Sequence, residues 1–141
     1  MGGPREVRVS FEFRLRVYWE DTDAGGIVFY ANYLKFFERA RTEWLRSLGI
    51  GQQALREATG GIFVVGETNV RFLQAARLDD ELLVTARIET AGRAAITLAQ
   101  EALRAGDRTL LCQGTIRIGW VDAATLKPAR MPANLLEALK P

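Results

Sequence analysis

Hydrophobic and polar residues alternate without a break near the beginning of the chain, in residues 7–17 (VRVSFEFRLRV). A period of two places one set of side chains against a core and the other in solvent, as in a half-buried β-strand. The next segment, residues 20–26 (EDTDAGG), is rich in Asp and Gly, which are typical of turns. The pattern predicts a strand followed by a sharp change of chain direction.

Apolar residues change to helical spacing between Ala31 and Leu48. At ~100° per residue they fall on one arc that covers roughly half of the helix surface. So broad and aromatic an arc predicts a long helix enclosed by a curved sheet, because most surface helices bury a narrower stripe. Glu38 lies at the edge of the arc and Arg41 inside it. The arc consists of Tyr33, Leu34, Phe36, Phe37, Ala40, Trp44, Leu45 and Leu48.

Strand-like segments fill most of the chain after the glycines at 49 and 51, which predict the end of the helix. Glycine-containing turns at residues 91–93 (AGR) and 105–108 (AGDR) are typical of hairpins. Gly66 lies inside the first segment and predicts a β-bulge. The predicted strands are residues 62–73, 82–90, 95–103 and 109–121, and the predicted short helices are residues 52–58 and 132–139.

This order of elements predicts an α+β fold. A strand, a long helix and an antiparallel meander of four strands would form one curved sheet of about five strands around the helix. We expect a single domain over residues 1–141, because a chain of this length buries most of its surface around one core. Several strands are long and apolar, and an uncovered edge of that kind tends to pair with another chain. We therefore expect a homodimer, or a tetramer formed as a dimer of dimers, in which the sheet continues between subunits.

Composition excludes several classes of site. The chain has no histidine and one cysteine, so Ser-His-Asp and Cys-His nucleophiles, histidine-based zinc sites and internal disulfides are excluded. A net charge of +2 without a clustered basic tract argues against nucleic acid as a ligand. No apolar run approaches the ~20 residues of a membrane helix, and residues 1–10 lack the apolar centre of a signal peptide. We expect a cytoplasmic protein whose chemistry needs no cofactor or metal.

A candidate for that chemistry lies in the turn before the long helix. Asp23 is followed by Gly25 and Gly26, and the helix is predicted to begin near Tyr30 or Ala31. The first N–H groups of a helix have no internal partner and stabilise negative charge. Acyl transfer needs such donors at the developing oxyanion, and a carboxylate that attacks the carbonyl or activates water. Asp23 and the Tyr30 N–H fit these roles, although Asp23 as a simple turn former is the commoner outcome from spacing alone.

Residues 16–33 (RVYWEDTDAGGIVFYANY) resemble the active-site signature of the 4-hydroxybenzoyl-CoA thioesterase family, which has the hotdog fold. Residues 38–45 (ERARTEWL) resemble the branch called Tol-Pal-associated acyl-CoA thioesterases. The likeness in layout covers nearly the whole chain. It implies an acyl-CoA thioesterase with a helix inside a curved antiparallel sheet, and it favours the catalytic interpretation of the Asp in the turn.

The resemblance also implies roles for individual residues. Asp23 matches the catalytic Asp, as nucleophile or general base, and the Tyr30 N–H matches the group that polarises the thioester carbonyl. Glu38 matches a helix position that faces the acyl group of the neighbouring subunit's site. Gly26 and Ala31 belong to the matched segment and are expected to bind substrate. Tol-Pal-associated relatives commonly have His in place of Tyr30, an exchange that preserves a backbone role and affects acyl-group preference.

Basic residues are candidates for binding the phosphates of coenzyme A, because guanidinium groups favour phosphate. Arg93, in a predicted hairpin turn, is the preferred candidate, although solvated surface charge is the commoner role for such residues. The full set is Arg87, Arg93, Arg117 and Lys127.

Structural roles are expected for several other polar and aromatic residues. Asp21 is expected to form a turn or a cap, and Asn32 to cap the helix or to line the pocket. Glu38 and Arg41 are three residues apart and are expected to form a helical pair, a role compatible with substrate contact. Packing rather than ligand binding or catalysis is expected for Trp19, Trp44 and Cys112.

The predicted activity is hydrolysis of an acyl or aroyl thioester to the carboxylic acid and free CoA. The alternative is a non-catalytic subunit that binds acyl thioesters or acyl carrier protein without turnover. The sequence leaves open the length of the acyl chain and the choice between CoA and acyl carrier protein.

Overall fold

The computed structural model describes residues 10–140, and its central element is a five-stranded antiparallel sheet packed against one long helix. This arrangement confirms the predicted α+β fold, and residues 7–9 of the first predicted strand lie outside the described range. The helices are α1 (Asn32–Ser47), α2 (Gln52–Thr59) and α3 (Ala133–Ala138), and a 3₁₀ turn spans Trp19–Asp21. The strands are β1 (Phe11–Arg16), β2 (Gly61–Phe72), β3 (Glu81–Ala91), β4 (Ala95–Arg104) and β5 (Leu110–Asp122).

The strand order in the sheet is β1-β3-β4-β5-β2. Strands β3, β4 and β5 form a meander as predicted, whereas β2 pairs antiparallel with β5 at the far edge of the sheet. The prediction of a four-strand meander is therefore wrong. Apolar patterning shows that residues 61–72 form a strand, but it does not show which strand they pair with. Residues 73–80 carry the chain across to β3, and this crossing separates β2 from its neighbour in sequence.

Strand β2 has one paired edge and one edge that no described strand pairs with. The Leu73 N–H donates to Leu111 O at 2.9 Å, on the side of β5. In an antiparallel pair, every second residue of a strand directs its N–H and C=O toward the partner strand. Leu73 does so, and the backbone groups of Thr68 and Val70, at odd separations from it, therefore face the open edge. A register shift at Gly66 confirms the predicted bulge.

Helix α1 packs its apolar face against β1, β3 and β4. The helix begins at Asn32, one or two residues after the predicted start at Tyr30 or Ala31, and Ala31 is its N-cap. Leu34 and Leu48 are 45% and 41% exposed, so the buried arc is narrower than predicted. Leu48 lies beyond the last helical residue, where helical spacing no longer applies. The buried apolar residues of the helix are Tyr33, Phe36, Phe37, Ala40, Trp44 and Leu45.

Candidate active site

A tight hairpin precedes α1 and holds Asp23. The Phe29 N–H donates to Asp21 O and the Asp23 N–H donates to Ile27 O, each at 3.0 Å, so the two arms run antiparallel. The Gly26 N–H closes the loop by donating to Asp23 O at 3.0 Å. Gly26 has a φ of +78°, a conformation in which a side chain would be strained. The chain therefore reverses within a few residues and enters α1 directly after the hairpin.

Further hydrogen bonds anchor this hairpin to the rest of the fold. The Val28 N–H donates to Ala76 O at 2.9 Å, in the segment that connects β2 and β3. The buried Asp21 carboxylate accepts the Tyr18 N–H and Asn32 Nδ2, each at 2.8 Å. These bonds confirm the structural role predicted for Asp21. Asn32 joins the helix start to the hairpin and does not cap α1, which has no side-chain cap.

The Asp23 side chain is exposed beside the hairpin. Its Oδ1 accepts the Gly25 N–H at 2.8 Å, so the turn bond predicted for this residue is formed. A Cβ at Gly25 would lie 3.2 Å from the same oxygen, so the glycine leaves room for the carboxylate. No described residue donates to the second oxygen, Oδ2. The turn bond is therefore compatible with a carboxylate that acts on a ligand.

The N–H groups of Tyr30 and Ala31 donate to no acceptor within residues 10–140. The N–H of the next residue, Asn32, is already used and donates to Phe29 O at 2.8 Å. The first turn of α1 contains no acidic residue, and the nearby Asp21 carboxylate bonds to the Asn32 side chain and not to these two amides. Free amides at the start of a helix stabilise a negative oxygen. These are the properties required of the predicted oxyanion donor.

Aromatic rings surround this helix start. The Tyr30 ring centroid lies 4.9 Å from that of Phe29 and 5.9 Å from that of Phe72. Tyr33, which is buried, packs 5.8 Å from Phe72 on the inner side. The rings of Phe29, Tyr30 and Phe72 remain exposed and form an apolar surface beside the free amides.

A second candidate region is a cleft of about 150 Å³ between α1 and β2, which we call the α1–β2 cleft. Glu38 and Arg41 line it, whereas Asp23 and Tyr30 do not. At ~1.5 Å per residue, Glu38 lies about 9 Å along the helix from Asn32. A single chain therefore does not bring Glu38 and Asp23 into one cavity.

A polar network that was not predicted from the sequence lies behind this cleft. Arg41 Nη1 donates to Gln100 Oε1 at 3.0 Å. Gln100 is fully buried, and its Nε2 donates to the carbonyls of Phe37 and Thr85, each at 3.0 Å. Burial lowers the pKa of the Arg41 guanidinium, and the smaller effect of the Glu38 charge raises that pKa. Glu38 and Arg41 form no ion pair within the described residues. Of the predicted helical pair, only the effect of the Glu38 charge on the pKa of Arg41 remains.

The network also interrupts the pairing of β3 with β4. Thr85 Oγ1 accepts the Glu101 N–H at 2.9 Å, and the Thr85 carbonyl accepts from the Gln100 side chain. These side-chain bonds take the place of a regular ladder bond. A signal for this site was present in the sequence, because the period of two along β4 places Gln100 on the same inward face as Leu98 and Ala102.

The candidate phosphate-binding residues lie on the surface or near it. Arg93 is exposed in the turn between β3 and β4, as expected, and it forms no ion pair with another described residue. Arg117 and Lys127 are also exposed, and Arg87 is half-buried. The structure does not group these side chains around Asp23.

The three packing predictions have different outcomes. Cys112 is buried, and burial raises the pKa of its thiol to about 12, which fits an unreactive core residue. Trp44 is buried as predicted. Trp19 is 79% exposed, so the prediction that it packs is wrong. It lies in the 3₁₀ turn, outside the strand and helix periodicities that predict burial.

Comparison with known proteins identifies the family. The profile of the Thioesterase-like superfamily matches residues 17–139. The chain belongs to this superfamily. It is 41% identical over 129 residues to the acyl-CoA thioesterase YbgC of Haemophilus influenzae, covering 92% of this chain and 93% of the relative. It is 38% identical over 130 residues to the acyl-CoA thioester hydrolase YbgC of Escherichia coli O6:H1, covering 92% and 96%.

A solved structure of this superfamily shows the same architecture. A probable thioesterase from Bartonella henselae matches with a TM-score of 0.80 and 32% identity, covering 87% of this chain and 99% of that one. The fold is the hotdog thioesterase fold, as predicted. The prediction that the chain is an enzyme of the thioesterase class is also confirmed.

Proposed function

We propose that the chain hydrolyses acyl-CoA thioesters to the carboxylic acid and free CoA, with Asp23 and the Tyr30 N–H as the catalytic groups. One observation carries this proposal. The Tyr30 N–H is unpaired among the described residues, and it follows directly after a hairpin that keeps Oδ2 of Asp23 unengaged. The printed names of the two YbgC relatives support acyl-CoA as the substrate class.

Two routes use these groups. In the first, the Asp23 carboxylate attacks the carbonyl carbon, the C–S bond breaks, and CoA leaves as a thiolate that takes up a proton; water then hydrolyses the mixed anhydride. In the second, Asp23 removes a proton from water, the resulting hydroxide attacks the carbonyl, the C–S bond breaks, and the proton passes to the leaving thiolate. In both, the Tyr30 N–H stabilises the oxyanion. Both consume only thioester and water, so neither needs a cofactor.

Single-turnover hydrolysis in oxygen-18 water tests for the anhydride route. Only the anhydride route can leave labelled oxygen in Asp23, because water can then attack the anhydride at the carboxyl carbon of this residue. Mass spectrometry of the peptide that contains Asp23 provides the measurement. A labelled peptide establishes the anhydride route, whereas an unlabelled peptide is expected both for the general-base route and for an anhydride that water opens at the acyl carbon.

The surroundings of the helix start support a finer assignment. The match of residues 16–33 to the 4-hydroxybenzoyl-CoA signature supports a place in that family, and residues 38–45 support its Tol-Pal-associated branch. The exposed rings beside Tyr30 offer an apolar surface that suits an aroyl or an aliphatic acyl group. Within this proposal Gly26 and Ala31 line the substrate site, and Arg93 binds the phosphates of CoA.

We also propose that two copies pair through β2 and that the pair assembles further into a tetramer. The open edge of β2 exposes large apolar side chains, including Val65 at 51% and Phe72 at 49%. Pairing with a second copy would continue the sheet and cover this edge. In such a dimer, Glu38 of one copy would face the acyl group bound at Asp23 of the other. This arrangement accounts for the distance between the two residues within one chain.

The cytoplasmic location and acyl carrier protein as an alternative carrier are predictions from the sequence. Within residues 10–140, no helix has the length and apolar character needed to cross a membrane. A cytoplasmic location stays a prediction. Acyl carrier protein stays a predicted alternative to CoA as carrier.

Release of free thiol from a panel of short-chain, long-chain and aromatic acyl-CoAs tests the proposed function. Saturable hydrolysis of at least one thioester is expected. The Asp23→Asn variant, purified in the same way, controls for contaminating hydrolases. Saturable binding of acyl-CoA without thiol release would instead show the non-catalytic subunit.

A further inference from the structure

The α1–β2 cleft combines apolar walls with one cation, Arg41, and one exposed carboxylate, Glu38. Its apolar lining includes Trp44, Phe63, Val64 and Ile118. Of the described residues that line the cleft, only Arg41 is positively charged. The volume of about 150 Å³ is large enough for a small organic group of about the size of benzene.

The Arg41 guanidinium is fixed at one nitrogen and free at the others. Nη1 donates to Gln100 Oε1, and Gln100 is itself locked because its amide nitrogen donates to two backbone carbonyls. The remaining nitrogens donate to no described residue. No buried side-chain nitrogen or oxygen among residues 10–140 lacks a partner, so these nitrogens reach open space. Arg41 lines the cleft, so these nitrogens are the donors that its side chain can offer to a ligand bound there.

The other polar groups of the cleft do not satisfy this cation. Gln52 Nε2 donates to Thr42 Oγ1 at 3.1 Å, so these two side chains bond to each other. Glu38 is exposed and forms no ion pair with Arg41 within the described residues. A partly desolvated guanidinium without a carboxylate partner is costly, and its planar donors match a carboxylate. The chemistry of the cleft therefore favours a ligand with an apolar stem and an anionic end.

We propose that the α1–β2 cleft binds the far end of the acyl group and selects acyl groups that end in a carboxylate, with Arg41 as the specificity-determining residue. This inference rests on the proposed acyl-CoA thioesterase function. The apolar walls hold the methylene stem, and the free donors of Arg41 bind the terminal carboxylate. Monothioesters of dicarboxylic acids are the substrate class that has this shape.

Non-hydrolysable CoA thioethers test the inference without requiring turnover. Two matched series are compared by calorimetry over a graded range of chain lengths, one series ending in a methyl group and the other in a carboxylate. At the best chain length the wild-type protein is expected to bind the carboxylate-ended thioether about tenfold more tightly. Equal affinity of the two series would overturn the inference. Equal affinity is also the result expected if a carboxylate of a second copy already pairs with Arg41.

Three variants separate recognition from a merely structural role. Arg41→Met keeps much of the apolar stem and is expected to remove the tenfold preference, whereas Arg41→Lys restores part of it. Glu38→Gln removes a nearby negative charge without touching the Gln100 network, and is expected to increase the preference. If Arg41 were only structural, its variants would weaken both series equally and leave the ratio of the two affinities unchanged.

The same thioethers distinguish failure of the inference from failure of the proposed function. If no thioester is hydrolysed but the preference for carboxylate is found, the thioesterase proposal fails and the cleft remains a carboxylate site. If thioesters are hydrolysed and the two thioether series bind equally, the thioesterase proposal stands and the inference fails.

Discussion

The hairpin before α1 and the α1–β2 cleft lie along the same helix, but different kinds of bond hold them. Backbone hydrogen bonds within a few residues close the hairpin, and Asp23 remains exposed on it. The cleft is backed by Gln100, which joins β4 to α1 and β3 through its side chain. Changes in the hairpin should therefore alter activity with little effect on stability, whereas loss of the Gln100 bonds should lower stability.

The largest effect is expected for Asp23→Asn. The Asn oxygen still accepts the Gly25 N–H, but the side chain no longer serves as base or nucleophile, so kcat/KM should fall by at least ~10³-fold. The midpoint of thermal unfolding should stay close to that of the wild type. Asp79→Asn makes the same change of charge at another exposed position and should keep full activity. Near-normal turnover by Asp23→Asn would show that the hairpin carboxylate is not catalytic.

The second-largest effect is expected for Thr68→Pro. This variant tests whether the hairpin of one copy and the α1–β2 cleft of another act together in a dimer. Thr68→Pro removes an N–H from the open edge of β2 and leaves the bonds to β5 in place, so it should block pairing with a second copy. Sedimentation should show a monomer with normal circular dichroism, and activity should fall about 100-fold or more. Thr68→Val keeps the N–H and is the control. A fully active monomer would show that one chain contains a complete site.

Substitution of Gln100 should lower the stability of the protein, in contrast to substitution of Asp23. Gln100→Leu leaves the Thr85 carbonyl and Arg41 Nη1 without their partner, which should lower the free energy of unfolding by about 2–4 kcal/mol. Gln74→Leu makes the same chemical change at an exposed position and should cost less than ~0.5 kcal/mol. Urea unfolding measures both variants. Equal stability of the two would mean that the Gln100 bonds contribute nothing net.

The smallest effect is expected for Tyr30→Phe. The backbone N–H is unchanged, and the phenol hydroxyl bonds to no described residue, so kcat/KM should remain within about twofold of the wild type. Kinetics with the best thioester of the panel provides the measurement. A collapse of the rate would assign the chemistry to the phenol instead of the amide.

The sequence predicted the elements whose bonds and spacing involve residues close together in the chain. Strict alternation predicted β3, β4 and β5, helical spacing predicted α1, and the turn bond of Asp23 followed from its spacing to Gly25. The edge position of β2 and the bond between Arg41 and Gln100 depend on residues far apart in the chain. Periodicity identifies a buried face but not the partner on the other side of it, so these features required the structure.

The amide resonance of Tyr30 gives the most direct test of the proposed site. Nitrogen-15-labelled Asp23→Asn protein, saturated with an acyl-CoA that the wild type hydrolyses, should hold the thioester without cleaving it. If the Tyr30 N–H binds the thioester oxygen, its proton resonance should move downfield, whereas free CoA, which has no thioester oxygen, should produce no such shift. A Tyr30 resonance that stays in place at saturation would contradict the proposed oxyanion donor.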